Sequence, residues 1–146
     1  MRRVSVVLER RLARSTATAP ERLLSLASVR DPVVRRAVAG NPSSPAEALT
    51  SCAQDGATSV RIAAATHPVT PPEVLDALLG DAHPNVRSAA LSVALSKAHE
   101  AWGLTPANTA AFWYVRELHP RWWRLTPEHP LVRQAAMWHP DAHHSG

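Results

Sequence analysis

Val60-Arg61-Ile62-Ala63-Ala64-Ala65-Thr66-His67-Pro68-Val69-Thr70-Pro71-Pro72-Glu73-Val74-Leu75 carries the pattern that decides the fold. Twenty-six residues earlier the chain reads Val34-Arg35-Arg36-Ala37-Val38-Ala39-Gly40-Asn41-Pro42, followed by Ser44, Pro45, Glu47 and Leu49. One further step back gives Thr18, Glu21 and Leu23, and one step forward gives Val86, Arg87 and Ala89. Leu26, Cys52 and Leu78 recur at the same 26-residue offset. So many coincidences at one spacing mark an internal repeat, and a repeat at this period marks an array of small helical units.

Each unit has a physical reading. Thr18, Ser44 and Thr70 are each followed three residues later by Glu, which predicts a capping box at a helix start. Ser96 keeps the hydroxyl at the next step, although His99 replaces the glutamate. Pro45 and Pro71 stand where a missing N–H costs nothing. Leu49, Cys52 and Ala53, like Leu75, Leu78 and Leu79, then form an apolar stripe at helical spacing. Asp55-Gly56 and Gly80-Asp81 end that helix, and a second short helix runs from Val60 to Ala65. His67-Pro68 stops it, because the residue before proline is pushed out of the α region. Neither helix can bury its stripe alone, so successive units must stack.

The predicted fold is all-α: a short α-solenoid of about five units in which α-helices alternate with short or 3₁₀ helices. A single repeat domain over 1–146 is expected, with a basic helix or cap over 1–17 and regular repeats over 18–91. Divergent units and a C-terminal cap follow over 92–140, then a tail over 141–146. Thirteen prolines in 146 residues are then the punctuation of helices rather than an argument against them. No apolar run reaches membrane-spanning length, and one cysteine excludes an internal disulfide or a CxxC pair. The N-terminal apolar stretch is too short for a signal peptide, so a cytoplasmic location is expected.

The Val-Arg-x-Ala-(Val/Ala)-Ala-x-(Asn/His)-Pro element, followed by Pro-x-Glu-x-Leu, resembles the leucine-rich repeat variant family. The resemblance covers about Thr18 to Leu91. It implies a right-handed superhelix of alternating α- and 3₁₀-helices, close in shape to HEAT and armadillo arrays. The cysteine cluster that some members use to hold iron and sulfur has no counterpart here, and no cofactor is expected.

Charge and aromatics supply the functional expectations. Residues 1–36 hold nine Arg against three acids, a net +6, whereas the remainder is net −2. Arg2, Arg3, Arg10, Arg11, Arg14 and Arg36 are therefore the candidate contacts to an anion or a nucleic acid. Arg35, Arg61, Arg87 and Arg133 form a ladder at the repeat position, read as structural through bridges to a neighbouring unit's acid, such as Asp55 or Asp81. His67, His83, His119, His129 and His139 each precede proline, and as turn residues they can bond local backbone as Asn does. No zinc-type spacing is present, and no metal site is expected.

All seven aromatics lie between Trp102 and Trp138. Trp113, Arg121, Trp122, Trp123, Arg124 and Trp138 are the candidate partner-binding residues, since Trp and Arg dominate binding hot spots. Trp122 and Trp123 are adjacent, so both cannot face inward on one helix. No catalytic triad, phosphate loop or carboxylate pair is found, so no enzyme activity is expected. The leading function is a non-catalytic protein- or peptide-binding scaffold or adaptor. A nucleic-acid-binding HEAT-like module is the alternative, and a metal protein or enzyme built on the His-Pro positions is third. So short an array leaves association with a further chain open.

Overall fold

The computed structural model describes residues 2–102 and 122–124. Among these the chain forms seven α-helices and no strand. They are α1 Arg2–Arg14, α2 Pro20–Leu26, α3 Pro32–Gly40, α4 Ala46–Ala53, α5 Thr58–Thr66, α6 Pro72–Leu79 and α7 Pro84–Trp102, with a 3₁₀ turn at Trp122–Arg124. The chain divides between Leu91 and Ser92 into two units.

Proline places the helix starts. Pro20, Pro32, Pro72 and Pro84 are the first residues of α2, α3, α6 and α7, where their fixed φ suits the helix and no N–H is wanted. Pro45 and Pro71 occupy the N-cap positions of α4 and α6. Asn41 and His67, each followed by proline, are the extended residues that end α3 and α5. Where this signal is missing the helix continues. One repeat beyond His67-Pro68 the chain reads Val93-Ala94, and α7 runs on through Ser96, the expected helix start, to Trp102.

In the first unit, consecutive helices pack against each other, and so do alternate ones. α1, α3 and α5 contact in series to form one row, and α2, α4 and α6 form a second row against it. The core between them is a set of columns at the repeat step. Leu23, Leu49 and Leu75 make one column; Val34, Val60 and Val86 make another; Leu26, Cys52 and Leu78 a third. Ala13, Ala39 and Ala65 are fully buried as well, and small side chains at these points let the helices of the first row approach closely. Burial pushes the Cys52 thiol up to about 11, so it behaves as a small apolar residue.

Two local expectations need correction. The second helix of each unit is not 3₁₀: α3 and α5 are α-helices of nine residues each. The capping boxes do not form either. Ala19, Pro45 and Pro71 are the N-caps, and none makes a side-chain cap bond. Thr18, Ser44 and Thr70 are buried, and their hydroxyls donate to Leu12 O, Val38 O and Ala64 O at 2.6, 2.5 and 2.5 Å. These carbonyls lie in the last turns of α1, α3 and α5, where each also accepts the N–H of the residue three positions on, Ser15, Asn41 or His67, and has a second lone pair free for the hydroxyl. The hydroxyl therefore closes the preceding helix instead of opening the next one.

Gly40, the last residue of α3, has nothing within 4 Å of the place a Cβ would take. Gly40→Ala is expected to stabilise the protein by roughly 0.4–1 kcal/mol, because alanine restricts the unfolded chain without a clash. Urea denaturation of the two proteins measures the gain.

Candidate functional site

The polar residues of the repeat meet where one unit adjoins the next. Asp55 precedes α5 and accepts the Ala57 N–H at 2.8 Å; Asp81 precedes α7 and accepts the His83 N–H at 2.9 Å. The same carboxylates receive the guanidinium of the preceding unit. Arg35 bonds Asp55 through Nε and Nη2 at 2.6 and 3.2 Å, and Arg61 bonds Asp81 through the same atoms at 2.9 and 3.1 Å. A planar guanidinium matches a carboxylate in this two-pronged geometry, which an ammonium cannot copy. The remaining Nη1 of each arginine reaches back to the loop before its own helix. Arg35 takes the carbonyls of Val29 and Arg30, Arg61 those of Asp55 and Gly56, and Arg87 those of Asp81 and Ala82.

The aspartates are correspondingly acidic. The Arg61 hydrogen bond holds Asp81 below the usual carboxylate range, and burial opposes it only in part. For Asp55 burial is the largest single influence and pushes upward. The Arg35 hydrogen bond, the Ala57 N–H and the charges of Arg35 and Arg61 together outweigh it, so its carboxyl is also held low.

Arg10, one of the expected anion contacts, is engaged within the fold. Its Nε bonds Asp31 at 2.8 Å, which lowers the Asp31 pKa, while Asp31 also caps α3 through the Val33 N–H at 3.1 Å. Sequence reading missed this pair because it spans 21 residues, whereas the two regular pairs span 20. It is out of register with the repeat.

Asn41 and His67 do the same work one repeat apart. Asn41 accepts the Ser43 N–H at 2.9 Å and donates its amide hydrogens to Ala13 O and Ser15 O at 2.8 and 2.9 Å. His67 accepts the Val69 N–H at Nδ1, 3.1 Å, so its proton sits on Nε2 and is donated to Asn41 O at 2.8 Å. The local half of this was legible as a turn signal. The cross-unit half, over 26 residues, was not. Both ring nitrogens of His67 are thereby occupied, and no cluster of three His, Cys, Asp or Glu suited to a metal occurs among the described residues.

Two surface hollows bear on binding. The first, about 620 Å³, is lined by Arg30, Arg35, Asp55 and neighbouring residues. The Arg35–Asp55 pair occupies its wall and is neutral as a pair, which leaves Arg30 as the lining's one unbalanced charge. The second, about 450 Å³, lies between α1 and α3 and includes Arg14 and Arg36 with no carboxylate in its lining. Arg11 is exposed on α1. Arg2 and Arg3 fall in α1 at positions whose side chains lie outside the described set.

Of the aromatic candidates, Trp123 is only 6% exposed, with the Arg124 guanidinium 6.0 Å from its ring centroid. The indole is thus packed away, and Arg124 is the exposed member of the pair. Trp113, Arg121, Arg133 and Trp138 lie outside the described residues, as do His119, His129 and His139, and only the backbone of Trp122 lies within them.

Comparison with protein-family models, with curated proteins and with solved structures gives no match. Among the described residues no helix is long and apolar enough to cross a membrane.

Proposed function

We propose that the chain is a short right-handed α-solenoid, of the leucine-rich repeat variant kind, acting as a non-catalytic protein- or peptide-binding scaffold in the cytoplasm. The observation that carries this reading is the fate of the recurring polar residues. Arg35, Arg61, Asp55, Asp81, Asn41 and His67 all spend their hydrogen-bonding capacity on holding one unit to the next. A chain that commits its recurrent chemistry to joining units leaves the surface between helices to carry function, and stacked helical arrays bind through such surfaces. The same observation weighs against a nucleic-acid track along the arginine ladder, because two of its guanidiniums are already neutralised by carboxylates.

Selection of a random peptide display library on the intact protein tests the reading. A reproducible consensus that survives resynthesis as a free peptide is expected. Failure to enrich any sequence over an unrelated helical protein would sink it.

A further inference from the structure

We infer that the hollow between α1 and α3 is a binding site for an acidic, apolar-flanked peptide, its carboxylate held between Arg14 and Arg36. The inference rests on the scaffold reading above and names the site and the partner's chemistry. The hollow holds about 450 Å³ and is lined by Arg14, Val33, Arg36, Ala37, Gly40 and Asn41 among others. Arg14 and Arg36 are both exposed, and neither guanidinium has a hydrogen-bond or ion-pair partner among the described residues. They contrast with Arg10, Arg35 and Arg61, each of which is neutralised by an aspartate.

The local field favours an anion. α1 ends at Arg14 and α3 at Gly40, so two helix C-termini face the hollow. Each contributes about half a negative charge at most, against two full guanidinium charges. The end of α1 is further quenched by the Asn41 amide, which already satisfies Ala13 O and Ser15 O. The balance in the hollow is positive, and carboxylate is the fitting partner for a guanidinium pair.

The apolar part of the lining selects among anions. Val33 is 40% exposed, and Val7, the same repeat position on the neighbouring helix α1, is 61% exposed. Of the two, Val33 lines the hollow, and with Ala37 it offers apolar surface for an aliphatic side chain beside the charged end. The missing Cβ at Gly40 leaves room for a backbone to lie close. A nucleic acid would need a longer run of unpaired cations, or aromatic faces for its bases. The lining supplies two arginines and no aromatic ring.

The test uses the intact protein and a labelled, end-blocked peptide of alternating leucine and glutamate. Its glutamine counterpart and a labelled single-stranded oligothymidylate serve as comparison probes. The glutamate peptide is expected to bind at least about tenfold more tightly than the glutamine peptide, and to weaken with salt. Arg14→Gln with Arg36→Gln should erase that preference, while Arg22→Gln, an exposed arginine on α2, should leave it intact; circular dichroism checks that all variants fold. Equal binding of the two peptides, unchanged binding to the double variant, or tighter binding of the oligonucleotide at the same arginines would each overturn the assignment. A display consensus without acids would overturn this site alone, whereas no consensus at all would remove the scaffold reading with it.

Discussion

Asn41→Ala is expected to cost about 3 kcal/mol of stability, while Asn41→His is expected to cost only about 1 kcal/mol. Asn41 is 2% exposed and its side chain makes three hydrogen bonds, two to carbonyls at the end of α1 and one from the Ser43 N–H. Alanine removes all three partners at once from groups that the fold has taken out of water. Each such loss costs about 1–3 kcal/mol when buried, and those nearest the surface recover a water. Histidine restores two of the three, because His67 shows that an imidazole at this position can accept the N–H two residues on and donate across 26 residues. A neutral imidazole has one donor where the amide has two, so one carbonyl remains short. Urea unfolding of the three proteins decides this, and equal destabilisation by alanine and histidine would contradict the shared role.

Asp55→Ala is expected to destabilise by about 2–3 kcal/mol and to weaken the protein's response to acid. Asp55 and Arg35 have side chains only 7% and 19% exposed, so the alanine variant leaves a largely buried cation with no counter-charge. It also removes the acceptor for the Ala57 N–H ahead of α5. Asp31→Ala should matter less, since its partner Arg10 is 46% exposed and water screens the pair. The pH dependence has a definite sign. Asp55 and Asp81 are held below their usual range in the folded state, so the unfolded chain takes up protons first. Their contribution is complete above about pH 5 and drains away as the pH falls below about 4. Wild-type urea midpoints should therefore drop across that window, and Asp55→Ala should show a shallower drop. A parallel drop in both proteins would show that the carboxylate is not the group responsible.

Much of the helical layout is legible because proline acts locally. Pro32, Pro72 and Pro84 open helices, and Asn41-Pro42 and His67-Pro68 close them, through constraints that reach only one residue. The core columns are legible for a related reason. A leucine that recurs every 26 residues on the apolar face of each helix has nowhere else to go. The arginine pairs were partly legible, since Asp55 and Asp81 recur with Arg35 and Arg61, yet Arg10 and Asp31 fall outside that register and gave no signal. The hollow at Arg14 and Arg36 shows the same limit. Both residues read as members of a basic segment, but only the fold separates them from Arg10 by giving Arg10 a carboxylate.

The sequence by itself determined the 26-residue step, the helical nature of the described segments and the residues that form the core. Tertiary structure decided which way the polar groups turn. Thr18, Ser44 and Thr70 satisfy the pattern for starting a helix, yet their hydroxyls serve the helix before, because chain reversal brings last-turn carbonyls, each with a second lone pair to offer, within 2.6 Å. Asn41 and His67 likewise look like turn residues until a neighbouring unit puts a carbonyl in reach. Proline geometry and apolar periodicity are properties of a few adjacent residues. The partner of a buried donor is set only when distant segments meet.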